Sequence, residues 1–208
     1  MIPITPEEFL KKFCTEFEPR DHHHTGPGCV RQAEANGSVF CIEGKILASY
    51  ANRHGGPVLE IGSDLGISSR YIMEGLDRFD ARFLEMGLGP TNDPLYCVDI
   101  FHKWDDATGF PRRRRHDGNS DSFKGPTCRW AFVDGSHMYD DVLADIRSLD
   151  RLGIRRAFFH DTSTVHPKAT SPTCGSDARY AVLDALAKTW TLHEIDTPCG
   201  LIYATLDE

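Results

Sequence analysis

The chain predicts a doubly wound α/β domain on a mostly parallel sheet, and three observations carry that prediction. Short apolar runs alternate with longer stretches of helical spacing from Glu43 onward. The runs end in acids or in a His-Asp pair, at Glu60, Asp99, Asp134 and His160-Asp161. The first run leads into a glycine turn, Gly62-Ser63-Asp64-Leu65-Gly66, followed by a helical pattern through Tyr71, Ile72 and Leu76. Ligands of such sheets sit outside the carboxyl ends of the strands, so acids gathered on one rim mark a candidate site.

The elements follow in order. Thr5 is placed to cap a helix that has Pro6 at its first position, with Glu8 completing a capping box and Phe9, Leu10 and Phe13 on one face. The segment Asp21-His22-His23-His24-Thr25-Gly26-Pro27-Gly28 reads as a loop or lid. Its three adjacent histidines cannot all face one ion without unusual backbone, so a solvated or substrate-facing loop is expected. A helix from Glu43 to His54 is stopped by Gly55-Gly56-Pro57 and leads directly into the first strand, in the apolar run from Pro57 that ends at Glu60 and the glycine turn. The crossover helix is predicted over Ser68 to Phe79, with Asp80 to Pro94 as an extra loop or short helix.

Leu95 to Ile100 is the second strand, and Arg112 to His116 the third, turning through Gly118-Asn119-Ser120. The four arginines Arg112 to Arg115 suit either a phosphate or acidic partner, or a solvated edge strand. Arg129 to Gly135 is the fourth strand, and Tyr139 to Leu152 a helix closed by Gly153. Ile154 to Phe159 is the fifth strand and Ala178 to Trp190 the last helix. Thr191 to Ile195 and Leu201 to Leu206 close the chain as an antiparallel hairpin. Two parts are expected: residues 1–42 as an N-terminal helix and lid-like segment, and residues 43–208 as the ligand-binding domain.

Composition bounds the function. The 208 residues carry a formal net charge of -8, which argues against a nucleic-acid partner. No apolar run approaches the roughly 20 residues of a membrane helix. Met1 to Lys12 lacks the basic-then-apolar layout of a secretion signal, so a cytoplasmic address is expected. The seven cysteines are scattered with no C-x-x-C pair, which speaks against a disulfide framework or a thiolate zinc site.

Glu60-Ile61-Gly62-x-x-x-Gly66, with Asp99 ending the second strand, resembles the cofactor site of class I S-adenosylmethionine-dependent methyltransferases. The element Asp134-Gly135-Ser136-His137-Met138-Tyr139, with Asp145 further on and His160-Asp161 later, is similar to bacterial small-molecule O-methyltransferases of the macrocin O-methyltransferase-like and cephalosporin hydroxylase-like group. The resemblance implies a Rossmann-like sheet of seven strands with one antiparallel strand near the C-terminus. It implies S-adenosylmethionine as cofactor, bound by Glu60, Gly62, Ser63, Gly66, Asp99, Asn119, Ser120 and Asp134. Asp64 departs from it, standing where many methyltransferases have a glycine. The NAD fingerprint G-x-G-x-x-G fails at Asp64 and Ile67.

Methyl transfer to oxygen is helped by aligning donor and acceptor and by activating the hydroxyl. By position in related metal-dependent enzymes, Asp134, Asp161 and either His160 or Thr162 would hold Mg2+ or another divalent cation, and a histidine ligand would shift preference towards transition metals. Asp134 and His137 are the catalytic candidates, His137 either as general base or as an orienter of Asp134 or the cofactor. The implied partner is a small-molecule acceptor, a sugar or a phenolic natural product, in a chain that forms no membrane contact and is open to homo-oligomerisation. The alternatives are a cofactor-binding accessory domain without catalysis, and methylation of a macromolecule docked on Arg112 to Arg115.

Overall fold

The computed structural model describes residues 1–19, 41–64, 66–100, 111–163 and 176–206. The chain runs β1 (Ile2–Ile4), α1 (Pro6–Phe13), α2 (Cys41–His54), β2 (Val58–Ile61), α3 (Ile67–Glu85), β3 (Leu95–Asp99), β4 (Arg113–Asp117) and a 3-10 turn (Ser120–Ser122). It continues through β5 (Trp130–Val133), α4 (Tyr139–Arg151), β6 (Arg156–Phe159), α5 (Ser176–Leu186), β7 (Thr191–Ile195) and β8 (Leu201–Thr205). The eight strands form one sheet in the order β1-β7-β8-β6-β5-β2-β3-β4. Within it β8 alone runs against its neighbours β6 and β7, and the other described pairings are parallel. This is the expected doubly wound class with one antiparallel strand near the C-terminus. The added eighth strand is β1, three residues long and carrying Pro3, which an edge position tolerates because one side of the strand needs no ladder donor.

Strand side chains alternate between the two faces. Val58, Leu95, Cys97, Trp130, Phe132 and Phe158 pack on the face covered by α1, α2 and α3. Leu59, Ile61, Val98, Ala131, Val133 and Phe159 pack against α4 and α5. The same alternation assigns Glu60, Asp99, Asp134 and His160 to the α2/α3 side, so the polar strand ends rise from one face of the sheet. On that face Gly75 of α3 lets the backbone of α2 come close, since a Cβ there would sit 2.2 Å from the Ala48 carbonyl.

Local signals account for most boundaries. Both bonds of the Thr5–Glu8 capping box form, and Phe9 is fully buried against Phe158 and Tyr203. The crossover helix runs on to Glu85, beyond the Phe79 expected. Asp80, inside it, is buried and accepts from the Thr91 and Asn92 amides, the Thr91 hydroxyl and Arg112. Asp80 to Pro94 is therefore a helix end and a loop clasped back onto it. Arg112 also meets Asp77, while Arg114 and Arg115 are exposed on β4, the edge strand. The solvated-edge reading thus holds for that pair, whereas Arg112 is held within the fold. No described helix is long and apolar enough to cross a membrane.

Candidate active site at the strand ends

The glycine turn after β2 is the floor of a crevice of about 370 Å³. Gly62 has φ +82°, and a Cβ on it would lie 2.2 Å from the carbonyl oxygen of Asp134. Glycine is required here by the close passage of the β5 end. Gly66, at φ +73°, starts α3. Asp99 holds the turn: its Oδ2 accepts from the backbone N–H of Ser63 at 2.8 Å and of Asp64 at 2.9 Å. Asp64 itself has φ +33°, the left-handed region that explains why glycine suits this position.

The crevice is lined by the turn after β2, the end of β3, Asn119 and Ser120 beyond β4, the end of β5 and the first turns of α4. Among its described lining residues the charged ones are all acidic: Asp64, Asp99, Asp121, Asp134, Asp141 and Asp145. Such a lining repels a dinucleotide's pyrophosphate and favours a cationic ligand. Asn119 caps the 3-10 turn through the Ser122 amide, and Ser120 donates to Asp145 Oδ1 at 2.6 Å. Burial, aided by Asp141 and Asp121 and opposed by the Ser120 hydrogen bond, pushes the Asp145 carboxyl up to about 6.

Glu60 lies under the turn. It is fully buried and accepts from Ser68 Oγ at 2.7 Å, from Ser69 Oγ and from the Cys97 thiol at 3.2 Å. Burial raises its pKa against the pull of those donors. Its carboxylate is spent on tying the start of α3 to β2, so the expected direct contact with a cofactor is replaced by support of the turn from below. Ser63 is likewise buried, its N–H engaged by Asp99.

Asp134, which lines the crevice, and His137 and Asp161 beside it each present a donor atom, all within 4.8 Å of one another. His137 Nε2 is 3.2 Å from Asp161 Oδ2 and its side chain is 38% exposed. His160 is fully buried with both ring nitrogens engaged: Nδ1 faces Asp134 Oδ1 at 2.9 Å and Nε2 faces Glu43 Oε2 at 3.0 Å. Burial opposes its charged form, but the carboxylates of Asp134 and Glu43 outweigh that and hold its pKa well above the ordinary value. Asp134 is pushed up by burial and drawn back by His160. The expected metal trio Asp134, His160 and Asp161 is thus corrected at one member, because His160 has no nitrogen left for an ion and His137 takes the adjacent place at the rim. The two carboxylates of Asp134 and Asp161 fit one divalent cation, with His137 beside them.

The sequence pattern of the family described as "Methyltransferase domain" matches residues 59–162, half of the 208-residue chain. The chain belongs to this family. The domain has the class I, S-adenosylmethionine-dependent methyltransferase fold. PaMTH1 of Podospora anserina, solved with S-adenosylhomocysteine bound, shares it at TM-score 0.61 and 12% identity, over 86% of this chain and 84% of that one. TomG of Streptomyces achromogenes, an O-methyltransferase of tomaymycin synthesis solved with S-adenosylmethionine, aligns at TM-score 0.57 and 16% identity, over 95% and 93% of the two chains. The Bacillus cereus O-methyltransferase, solved with S-adenosylhomocysteine, aligns at TM-score 0.56 and 16% identity, over 83% and 86%. No curated protein matches the chain by sequence.

In this methyltransferase domain Gly62, Asp99, Asn119, Ser120 and Asp134 come together around one crevice, with Gly66 closing the turn into α3. Sequence reasoning missed Glu43, which it used as a helix start. The one local sign was an acid in the first turn of α2, where acids are common for reasons unrelated to a site. Tyr139 donates to Asp184 on α5 and is a packing residue, and His116 bonds Ser122. His22 to His24, His102 and His166 lie outside the described residues, as do all of residues 20–40, which hold the segment read as a lid, and residues 164–175.

Proposed function

We propose that this methyltransferase domain transfers the methyl group of S-adenosylmethionine to a hydroxyl oxygen of a small molecule, a sugar or a phenolic natural product, with a divalent cation at the rim. The observation that carries this is one acid-lined crevice holding the glycine turn, Asp99 and Asp134, with His137 and Asp161 clustered around that Asp134. Asp99 would accept from the ribose hydroxyls while bracing the turn, and the Asn119-Ser120 segment would border the adenine. The aspartate lining favours the cationic sulfonium and amine of the methyl donor. The O-methyltransferases from Bacillus cereus and Streptomyces achromogenes, solved with the product or the donor, support the choice of cofactor and acceptor atom.

Asp134 and Asp161 would hold the cation, which when bound lowers the pKa of the acceptor hydroxyl. His137, exposed at the rim and oriented by Asp161 at 3.2 Å, is the base that takes the hydroxyl proton. His160 keeps Asp134 in place and carries no proton to the acceptor.

Calorimetry tests the cofactor. The wild type should bind S-adenosylmethionine, and Asp99→Ala should weaken binding on the order of tenfold or more, the loss of charge-assisted hydrogen bonds. No heat of binding at millimolar ligand would end this reading. Methyl transfer to pooled hydroxylated acceptors should stop in excess EDTA and return with Mg2+ or Mn2+. Full activity in the chelator would remove the cation and leave the transfer.

A further inference from the structure

We propose that Glu43 is a positioning residue: acting through His160, it fixes the carboxylate of Asp134 at the rim. This rests on the reading of Asp134 as an ion-holding residue given above.

The chain of contacts is continuous and sealed. Glu43 sits in the first turn of α2, fully buried. Its Oε1 accepts from the backbone N–H of Cys199 at 3.2 Å, which anchors the carboxylate to the segment joining β7 and β8. Its Oε2 meets His160 Nε2 at 3.0 Å, and the other side of the ring meets Asp134 Oδ1 at 2.9 Å. Phe132 stands edge-on to the ring at 5.9 Å between centroids, which limits how the imidazole can tilt. An imidazole held between two carboxylates has its rotation set from both ends. Asp134 therefore has one oxygen tied down while its side chain stays 19% exposed at the crevice.

A purely structural role explains this poorly. Burying an acid and an imidazole carries a desolvation penalty that an apolar pair of similar volume avoids, so such a pair is weak evidence of stabilisation. What a hydrogen-bonded arm does supply is direction. Groups that hold a metal-binding side chain from behind set its orientation, and their loss typically weakens metal binding by about 10- to 100-fold. The arm ends on Asp134, the residue that also joins the donor cluster with His137 and Asp161. Glu43, His160 and Cys199 also lie within 4.8 Å of one another, an arrangement that could itself hold a soft metal. The bonds already made by both Glu43 oxygens and both His160 nitrogens favour the arm over that ion.

The test uses the full chain and Mn2+ as probe, with free Mn2+ followed by electron paramagnetic resonance. Glu43→Ala, and Glu43→Asp, which keeps the charge but shortens the arm by a methylene, should each weaken Mn2+ affinity by about 10- to 100-fold. Calorimetric affinity for S-adenosylhomocysteine should fall less than Mn2+ affinity in both, because the glycine turn is braced by Asp99 and Glu43 reaches Asp134 only through His160. Glu43→Gln, which can still reach His160 as a neutral donor, should restore most of the Mn2+ affinity. Crystal structures of the ion-free variants should show Asp134 turned from its wild-type direction.

Wild-type Mn2+ affinity in Glu43→Asp overturns the proposal, and so does an unmoved Asp134. If the wild type takes up no Mn2+, the ion reading of the rim fails by itself, and the crystallographic position of Asp134 alone decides the positioning role. One tightly held zinc in the purified protein, lost in Cys199→Ala, also overturns it by making the buried cluster a metal centre.

Discussion

Replacing Asp145 with asparagine should stabilise the ligand-free protein at neutral pH and leave it unchanged in acid. Asp145 is 7% exposed, accepts one short hydrogen bond from Ser120, and has Asp141 and Asp121 as acidic neighbours. Its carboxyl is pushed from 3.8 to about 6, chiefly by burial. A raised acid favours the folded state below the unfolded pKa, and that advantage is lost as pH rises through the folded pKa. Between about 4 and 6 the folded chain binds more protons than the unfolded one, so this residue makes stability fall with rising pH in that window.

A shift of about two units at roughly 1.36 kcal/mol each is a cost of about 3 kcal/mol once Asp145 is ionised. Asparagine cannot ionise, and its Oδ1 can still accept from Ser120, so the variant escapes the cost and keeps the bond. Urea unfolding followed by tryptophan fluorescence, run on both proteins near pH 4 and near pH 8, reads the difference, since other titrating groups cancel between them. The gap should open from about zero to about 2–3 kcal/mol in favour of the variant. A gap that does not widen towards neutral pH, or a variant less stable at pH 8, would refute the buried-carboxylate reasoning.

Two further substitutions test the frame of the site. Gly62→Ala places a methyl 2.2 Å from the Asp134 carbonyl at a φ of +82°. It should cost about 2 kcal/mol or more and weaken S-adenosylmethionine binding together with stability, as thermal melts and calorimetry would report. A variant with wild-type melting and binding would mean that the β5 end yields freely. Thr5→Ala breaks the capping box of α1, whose bonds are 3.2 Å and 2.9 Å long, and should cost about 1 kcal/mol, a fall of about 2–4 °C in melting temperature, with the calorimetric affinity for S-adenosylmethionine unchanged. A drop in that affinity would instead tie α1 to the rim.

Much of this protein could be read along the chain because the relevant physics is local. Apolar runs closed by Glu60, Asp99 and Asp134, the glycines at 62 and 66, and the Thr5-Pro6-Glu8 cap each place their signal within a few residues. Alternation along a strand even assigns those acids to one face. Three things needed the assembled fold. Whether Glu60 faces a ligand or the underside of α3 depends on Ser68 and Ser69 lying over it, which strand periodicity does not encode. Whether His160 or His137 stands with Asp134 and Asp161 depends on Glu43, 117 residues away from His160 in sequence, taking the second ring nitrogen. And Ile2–Ile4 is too short for any pattern, becoming a strand only because β7 offers it an edge. Spacing within an element is written in neighbouring residues; the partner of a buried charge is settled only when distant segments pack and water leaves between them.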